Sequence, residues 1–122
     1  TGGSWATVST FDEWVQGEFA PVQTATAAPN TATVAVQSNI AQNAASVAAL
    51  AANVIRRGAS FWNDAAAIAY LSYIGAASLV NYKVQLAAGA YFELEPQAVW
   101  TGLVNVIWAA AGAGALRVTE LT

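Results

Sequence analysis

Two acidic residues have the spacing of a paired-carboxylate site. Glu93 and Glu95 lie two apart in a stretch that alternates apolar and polar residues, so on a β-strand both carboxylates would project from one face. Such a pair can bind Ca²⁺ through its oxygens or act as acid and base on a sugar. No Asp-rich loop or third acid lies nearby in the sequence. We therefore interpret the pair as an exposed strand face.

Two adjacent arginines are the densest positive charge in the chain. Arg56 and Arg57 could clamp carboxylates of a neighbouring subunit, because a guanidinium binds a carboxylate through two hydrogen bonds. The alternative is a solvated turn, with Asp64 or Glu120 as partners inside the chain. We treat both arginines as candidate interface charges.

Six aromatic residues beyond the first half of the chain could form a platform that stacks on sugar rings. Residues of this kind are more often core or interface anchors, so sugar binding is the less favoured interpretation. The six are Trp62, Tyr70, Tyr73, Tyr82, Tyr91 and Trp100. Residues 112–114 are predicted to form a turn and not a phosphate-binding loop, because no Lys and no helix follow the glycines.

The composition lacks the side chains that most enzymes use. The sequence contains no Cys and no His. This excludes disulfides, thiolate chemistry, catalytic triads built on His and the ordinary zinc sites. We expect a non-enzymatic protein with no catalytic residue, no metal site and no cofactor.

The low content of charged residues indicates that neighbouring molecules cover much of the surface. Charged residues make up 9% of the chain, against roughly a quarter in an ordinary soluble domain. With a formal net charge of -3, the chain cannot neutralise many phosphates, so we expect no nucleic-acid partner. The first residues, TGGSW, lack the basic region and apolar core of an export signal, and the longest apolar stretch, 103–116, is too short to span a bilayer. We expect a soluble chain without a membrane partner.

Residues 1–43 are predicted to form an extended arm. They are rich in Thr, Ala, Gln and Asn and contain Pro21 and Pro29. A short helix is predicted within them, with Ser9 or Thr10 as its cap. Disordered segments are poor in aromatic residues, so the aromatic cluster of this arm predicts anchors that dock on another subunit or protein. The anchors are Trp5, Phe11, Trp14 and Phe19.

The residues of segment 38–58 leave open whether it is a helix or a strand. Its apolar residues recur at helical spacing, alanine is the best helix former, and Gly58 could end a helix. Intrinsic propensity alone therefore predicts a helix.

From Gly58 onward the apolar period changes to two, which predicts short strands. One strand is predicted at 68–74. Stretches 82–86 and 91–95 flank a four-residue link with the glycine content of a hairpin loop, and 103–109 and 115–121 flank another glycine-containing link. The pattern predicts a small antiparallel sandwich or barrel over 58–122. Its inward side chains would be Val84, Leu86, Phe92, Leu94, Val104, Val106 and Trp108.

Several of these segments resemble a pattern found in many virion proteins of tailed bacteriophages. Residues 50–64 read LAANVIRRGASFWND, similar to a strand ending in Ala-Ala-Asn, a turn with Arg and Gly, and a strand closed by Asn-Asp. Residues 82–93 resemble the next element, and 101–102, 107–110 and 117–120 resemble a final hairpin. The resemblance covers about 44–122. The chain departs from it at Ala65 and Ala66, where the pattern usually has Ser or Thr.

The resemblance implies a small β-sandwich used as a structural module of a virion. It also implies a strand from about Ser46, leaving room for a short helix before it. We hypothesise a capsid decoration or cement protein on the outer surface of the head, with body 44–122 and arm 1–43. Its partners would be the major capsid protein and copies of itself, as a trimer or dimer. The alternative is a tail or head-fibre adhesin that binds carbohydrate of the host surface.

Overall fold

The computed structural model describes residues 30–122, which form eight β-strands and no helix. No helix in this range could therefore cross a membrane. The predicted mainly β fold is confirmed. The four aromatic anchors of the arm and the short helix expected near them lie outside the described residues. The strands are β1 (Ala35–Ala41), β2 (Val47–Leu50), β3 (Gly58–Asp64), β4 (Ala69–Ser72), β5 (Val84–Leu86), β6 (Tyr91–Glu93), β7 (Val104–Trp108) and β8 (Ala115–Leu121).

The strands form two antiparallel sheets of four. The first sheet has the order β1-β8-β3-β6 and the second has the order β2-β7-β4-β5. Because successive side chains of a strand point to opposite faces, each sheet turns one set of side chains toward the other. The two inner faces pack into one hydrophobic core.

Alternate residues of the central strands form the hydrophobic core. Phe61, Leu116 and Val118 come from the first sheet, and Leu71 and Trp108 come from the second. Of the side chains predicted to face inward, five are buried and the other two are half-buried against the core. The buried five are Leu86, Leu94, Val104, Val106 and Trp108, and the half-buried two are Val84 and Phe92. The predicted inward face is confirmed.

The helix that propensity favours over 38–58 is wrong, and so is a helix just before Ser46. β1 pairs with β8 over its full length, from Ala35 with Leu121 to Ala41 with Ala115. β2 pairs with β7. Hydrogen bonding to these partners outweighs the small helix preference of alanine. The sandwich includes β1 and thus begins before residue 44, where the sequence placed the boundary between arm and body.

The two predicted hairpins are also wrong, although their strands are present. β5 pairs with β4 in the second sheet, whereas β6 pairs with β3 in the first. Likewise β7 belongs to the second sheet and β8 to the first. The short links therefore cross between the sheets. Among the described strands, β4 and β5 are the one pair that is consecutive in the chain and hydrogen-bonded.

Candidate functional site

The outer face of the first sheet carries a shallow groove of about 630 Å³. Its aromatic side is a cross-strand pair, Trp62 on β3 opposite Tyr91 on β6. Both rings are exposed, at 45% and 58% of their surface. Its polar side comes from β1 and β8, which place Gln37, Asn39 and Arg117 along the groove. The alternation that buries Phe61 and Val118 is what turns these side chains outward.

The charges at this groove are paired and half-exposed. Arg117 donates to the carboxylate of Asp64 at 2.9 Å, and each side chain keeps nearly half of its surface in solvent. The hydroxyl of Tyr91 donates to Glu93, and that hydrogen bond is the main reason why the pKa of Tyr91 lies above its ordinary value. Flat rings beside amide and guanidinium donors can stack on a sugar or pack against a protein. The groove is therefore a candidate binding surface.

Arg56 occupies a different place, buried between loops and strand β8. Its side chain has no exposed surface, and its Nε lies 2.7 Å from a carboxylate oxygen of Glu120. Its other nitrogens donate to the main-chain carbonyls of Ala51, Trp100 and Gly102. One guanidinium thus joins the loop after β2, the loop before β7 and strand β8.

The two arginines of the candidate interface pair therefore differ. Arg56 is enclosed and bonded to Glu120, one of the internal partners weighed from the sequence, so it is not presented to a neighbouring subunit. Arg57 is exposed, and a contact between its side chain and a partner protein remains a prediction. Asp64, the other internal partner considered, pairs with Arg117.

A second buried polar centre surrounds Asn63, and it was not predicted from the sequence. Asn63, fully buried on β3, donates through Nδ2 to the carbonyls of Ala67 and Leu86 at 2.9 Å each. Its Oδ1 accepts the indole N–H of Trp108 at 3.1 Å. The main chain of Asn63 also bonds to Gly89 and Ala90, in the link that crosses from β5 to β6. The signal in the sequence was an Asn at an inward position, two residues after Phe61.

A third cluster surrounds the loop after β6. The rings of Tyr73 and Trp100 stack with centroids 5.2 Å apart and planes within 6°. The Tyr73 hydroxyl donates to Glu95, and the Lys83 ammonium lies 2.8 Å from the same carboxylate. Burial, followed by the bond to Glu95, raises the pKa of Tyr73, while the hydrogen bond from Lys83 lowers the pKa of Glu95. A Cβ at Gly102 would lie 2.4 Å from the Trp100 ring, so this packing requires glycine.

The structure arranges the rings of the predicted aromatic platform in three pairs, and Tyr73 and Tyr82 of two pairs line a common pocket. Trp62 and Tyr91 lie on the first sheet, Tyr73 stacks on Trp100, and Tyr70 meets Tyr82 edge to face at 4.9 Å. Glu93 and Glu95 bond to different tyrosines. Within the described residues no three His, Cys, Asp or Glu side chains are grouped so that they could hold a metal ion. Compared with protein-family models, curated proteins and solved structures, the chain gives no match.

Proposed function

We propose that this chain is a non-enzymatic structural protein of a tailed-phage virion that decorates and stabilises the assembled head. The observation that carries the proposal is the surface of the sandwich. Large apolar side chains stand in solvent on its loops, with Val54 at 89% and Val80 at 92% exposure, and Ile55 and Ile74 are also exposed. A chain with 9% charged residues has little to keep such surfaces apart. Packing against neighbours in a shell would cover them.

The internal construction of the sandwich suits such a role. The buried side chains of Arg56 and Asn63 hydrogen-bond loops and links to the strands. No buried side-chain nitrogen or oxygen of the described residues lacks a hydrogen-bond partner. Such networks favour one rigid arrangement. A rigid small body that repeats around a shell gains binding strength through multivalency, even where each contact is modest. The resemblance of 44–122 to phage virion modules points to the same role.

In this proposal the arm supplies the anchors on the head. Trp5, Phe11, Trp14 and Phe19 would bury apolar area on the major capsid protein, and aromatic anchors carry much of the energy at protein interfaces. The arm contacts a neighbouring subunit while the sandwich lies on the outer surface of the head.

Replacing the four aromatic anchors of the arm with alanine should weaken binding to heads at least about tenfold, because each anchor loses its buried area. Co-sedimentation with purified heads that lack the chain measures this. The matched control replaces the exposed aromatics of the body, Trp62 and Tyr91, with alanine, and should bind as the unaltered chain does. Undiminished binding by the arm variant would exclude the arm as the anchor.

A second candidate function, recognition of host-surface carbohydrate, rests on the groove at Trp62 and Tyr91. Two exposed rings lie beside amide side chains and a guanidinium, a combination that suits the apolar face and the hydroxyls of a sugar. An adhesin would sit on the tail tip or fibres, whereas a decoration protein covers the head. The position of the chain on the virion therefore separates the two candidates.

A further inference from the structure

The strand at one edge of the first sheet presents a hydrogen-bonding edge that no described strand uses. The main-chain bonds from Gln42 to Gly114 and from Thr122 to Val34 show that the even-numbered residues of β1 bond to β8. In an antiparallel pair such residues alternate with ones whose N–H and C=O point the other way. Residues 35, 37, 39 and 41 therefore point theirs outward. Within residues 30–122 nothing pairs with this edge.

This edge carries none of the devices that usually protect sheet edges. Proteins block edge pairing with charged residues, proline, bulges or very short strands. β1 is seven residues long, reads AVQSNIA, and keeps an unbroken register with β8. The other edge strands differ. β2 has an irregular register, and β5 and β6 have three residues each.

The sequence of β1 is complementary to itself when reversed. About Ser38, Ala35 matches Ala41, Val36 matches Ile40, and Gln37 matches Asn39. An antiparallel pair with a two-fold axis at Ser38 thus places each residue opposite one of its own kind. In this register residues 37 and 39, which both point their main-chain groups outward, exchange two hydrogen bonds, as do 35 and 41.

The side chains fit the same register on both faces. Gln37 and Asn39 lie on the outer face with Arg117 and Thr119, so their amides meet across the axis. Val36, which is 55% exposed, and the half-buried Ile40 lie on the other face. In this register Val36 of one copy lies opposite Ile40 of the other copy. No charged side chain belongs to β1. The contact would bury apolar area and leave no like charges of β1 opposed.

We propose that two copies of this chain pair through β1 as a two-fold dimer, with one continuous eight-stranded sheet running through both. A contact between identical patches is the commonest form of self-association. Because the axis is perpendicular to the sheet, both grooves at Trp62 and Tyr91 face the same side of the dimer. The proposal does not depend on the virion role, since it rests on the edge, the register and the sequence of β1.

The test measures self-association of the full chain by sedimentation velocity over a range of concentrations. The unaltered chain should form a dimer. In this register, position 37 of each copy lies opposite position 39 of the other. Replacing Gln37 and Asn39 with lysine therefore creates two opposed pairs of positive charges in each dimer, and should weaken dimerisation at least about tenfold. Replacing Gln37 with lysine and Asn39 with glutamate opposes unlike charges in the same register and should restore the dimer. The matched control places lysines at the exposed Ala88 and Gln97, and should leave the dimer intact.

Three results would overturn the proposal. They are a monomer or trimer at every concentration, a dimer unaffected by the two lysines, and no difference between the lysine pair and the Lys/Glu pair. Hydrogen exchange gives an independent measurement. Protection of the amides of Gln37 and Asn39 that grows with dimer concentration supports the proposal. Protection of these amides in a monomer would overturn the proposal, because another part of the same chain would then cover this edge. Circular dichroism confirms that each variant is folded.

Discussion

Replacing Trp108 with alanine should lower the free energy of unfolding by about 3–5 kcal/mol. Trp108 is the largest fully buried side chain of the sandwich, and its ring lies among the core residues of both sheets. Its removal leaves a cavity and also deprives Asn63 of the indole N–H that its Oδ1 accepts. Urea unfolding followed by circular dichroism measures the loss.

Two further variants separate the cavity from the lost hydrogen bond. Phenylalanine at position 108 keeps most of the ring volume but cannot donate to Asn63, and should cost less than alanine, about 1–3 kcal/mol. Trp62→Ala is the exposed control, and should cost less than about 1 kcal/mol, because that ring stands on the outer face. An equal loss from Trp62→Ala and Trp108→Ala would contradict the arrangement of the sandwich.

Replacing Arg56 with methionine should lower the free energy of unfolding by about 3 kcal/mol or more. Methionine leaves Glu120 and three main-chain carbonyls without their common donor inside the protein. Removing one member of a buried ion pair is strongly destabilising, because the remaining charge stays in a place of low polarity. Unfolding in urea measures this loss.

Arg117→Met is the matched control, since it removes the same chemistry from an exposed pair. Arg117 and Asp64 each keep nearly half of their side-chain surface in solvent, and such pairs contribute about 0–1 kcal/mol. Arg56→Lys should lie between the two, because a single ammonium keeps the charge but cannot reach all the acceptors of a planar guanidinium. Equal losses of unfolding free energy from Arg56→Met and Arg117→Met would contradict a buried Arg56 whose hydrogen bonds connect the loops.

The strands of the second half of the chain were predictable because their inward side chains are large. Alternation places Val104, Val106 and Trp108 on one face, and no helical spacing competes there. β1 was not predictable in this way. Its residues are small, polar or aliphatic, and all but Ile40 are exposed, so no period marks an inner face. Its conformation depends on β8, which is far away in the sequence.

Strand pairing was less predictable than the strands themselves. A link of four residues, such as 87–90, fits a hairpin as well as a crossing between two sheets. In the structure this link crosses to the first sheet, where the main chain of Asn63 on β3 hydrogen-bonds to Gly89 and Ala90. In the same way, the sequence offered Glu120 as a partner of Arg56, but the burial of that pair depends on loops that approach from both sides. Contacts of this kind are visible only once the sheets are assembled.

The most direct test of the virion proposal is immunogold labelling of intact virions with an antibody raised against the full chain. The proposal predicts label spread evenly over the outer surface of the head. Label confined to the tail tip or fibres would contradict it, and would favour recognition of host carbohydrate through the groove at Trp62 and Tyr91. Absence of label from virions in which immunoblotting also finds no copy of the chain would contradict any role in the virion.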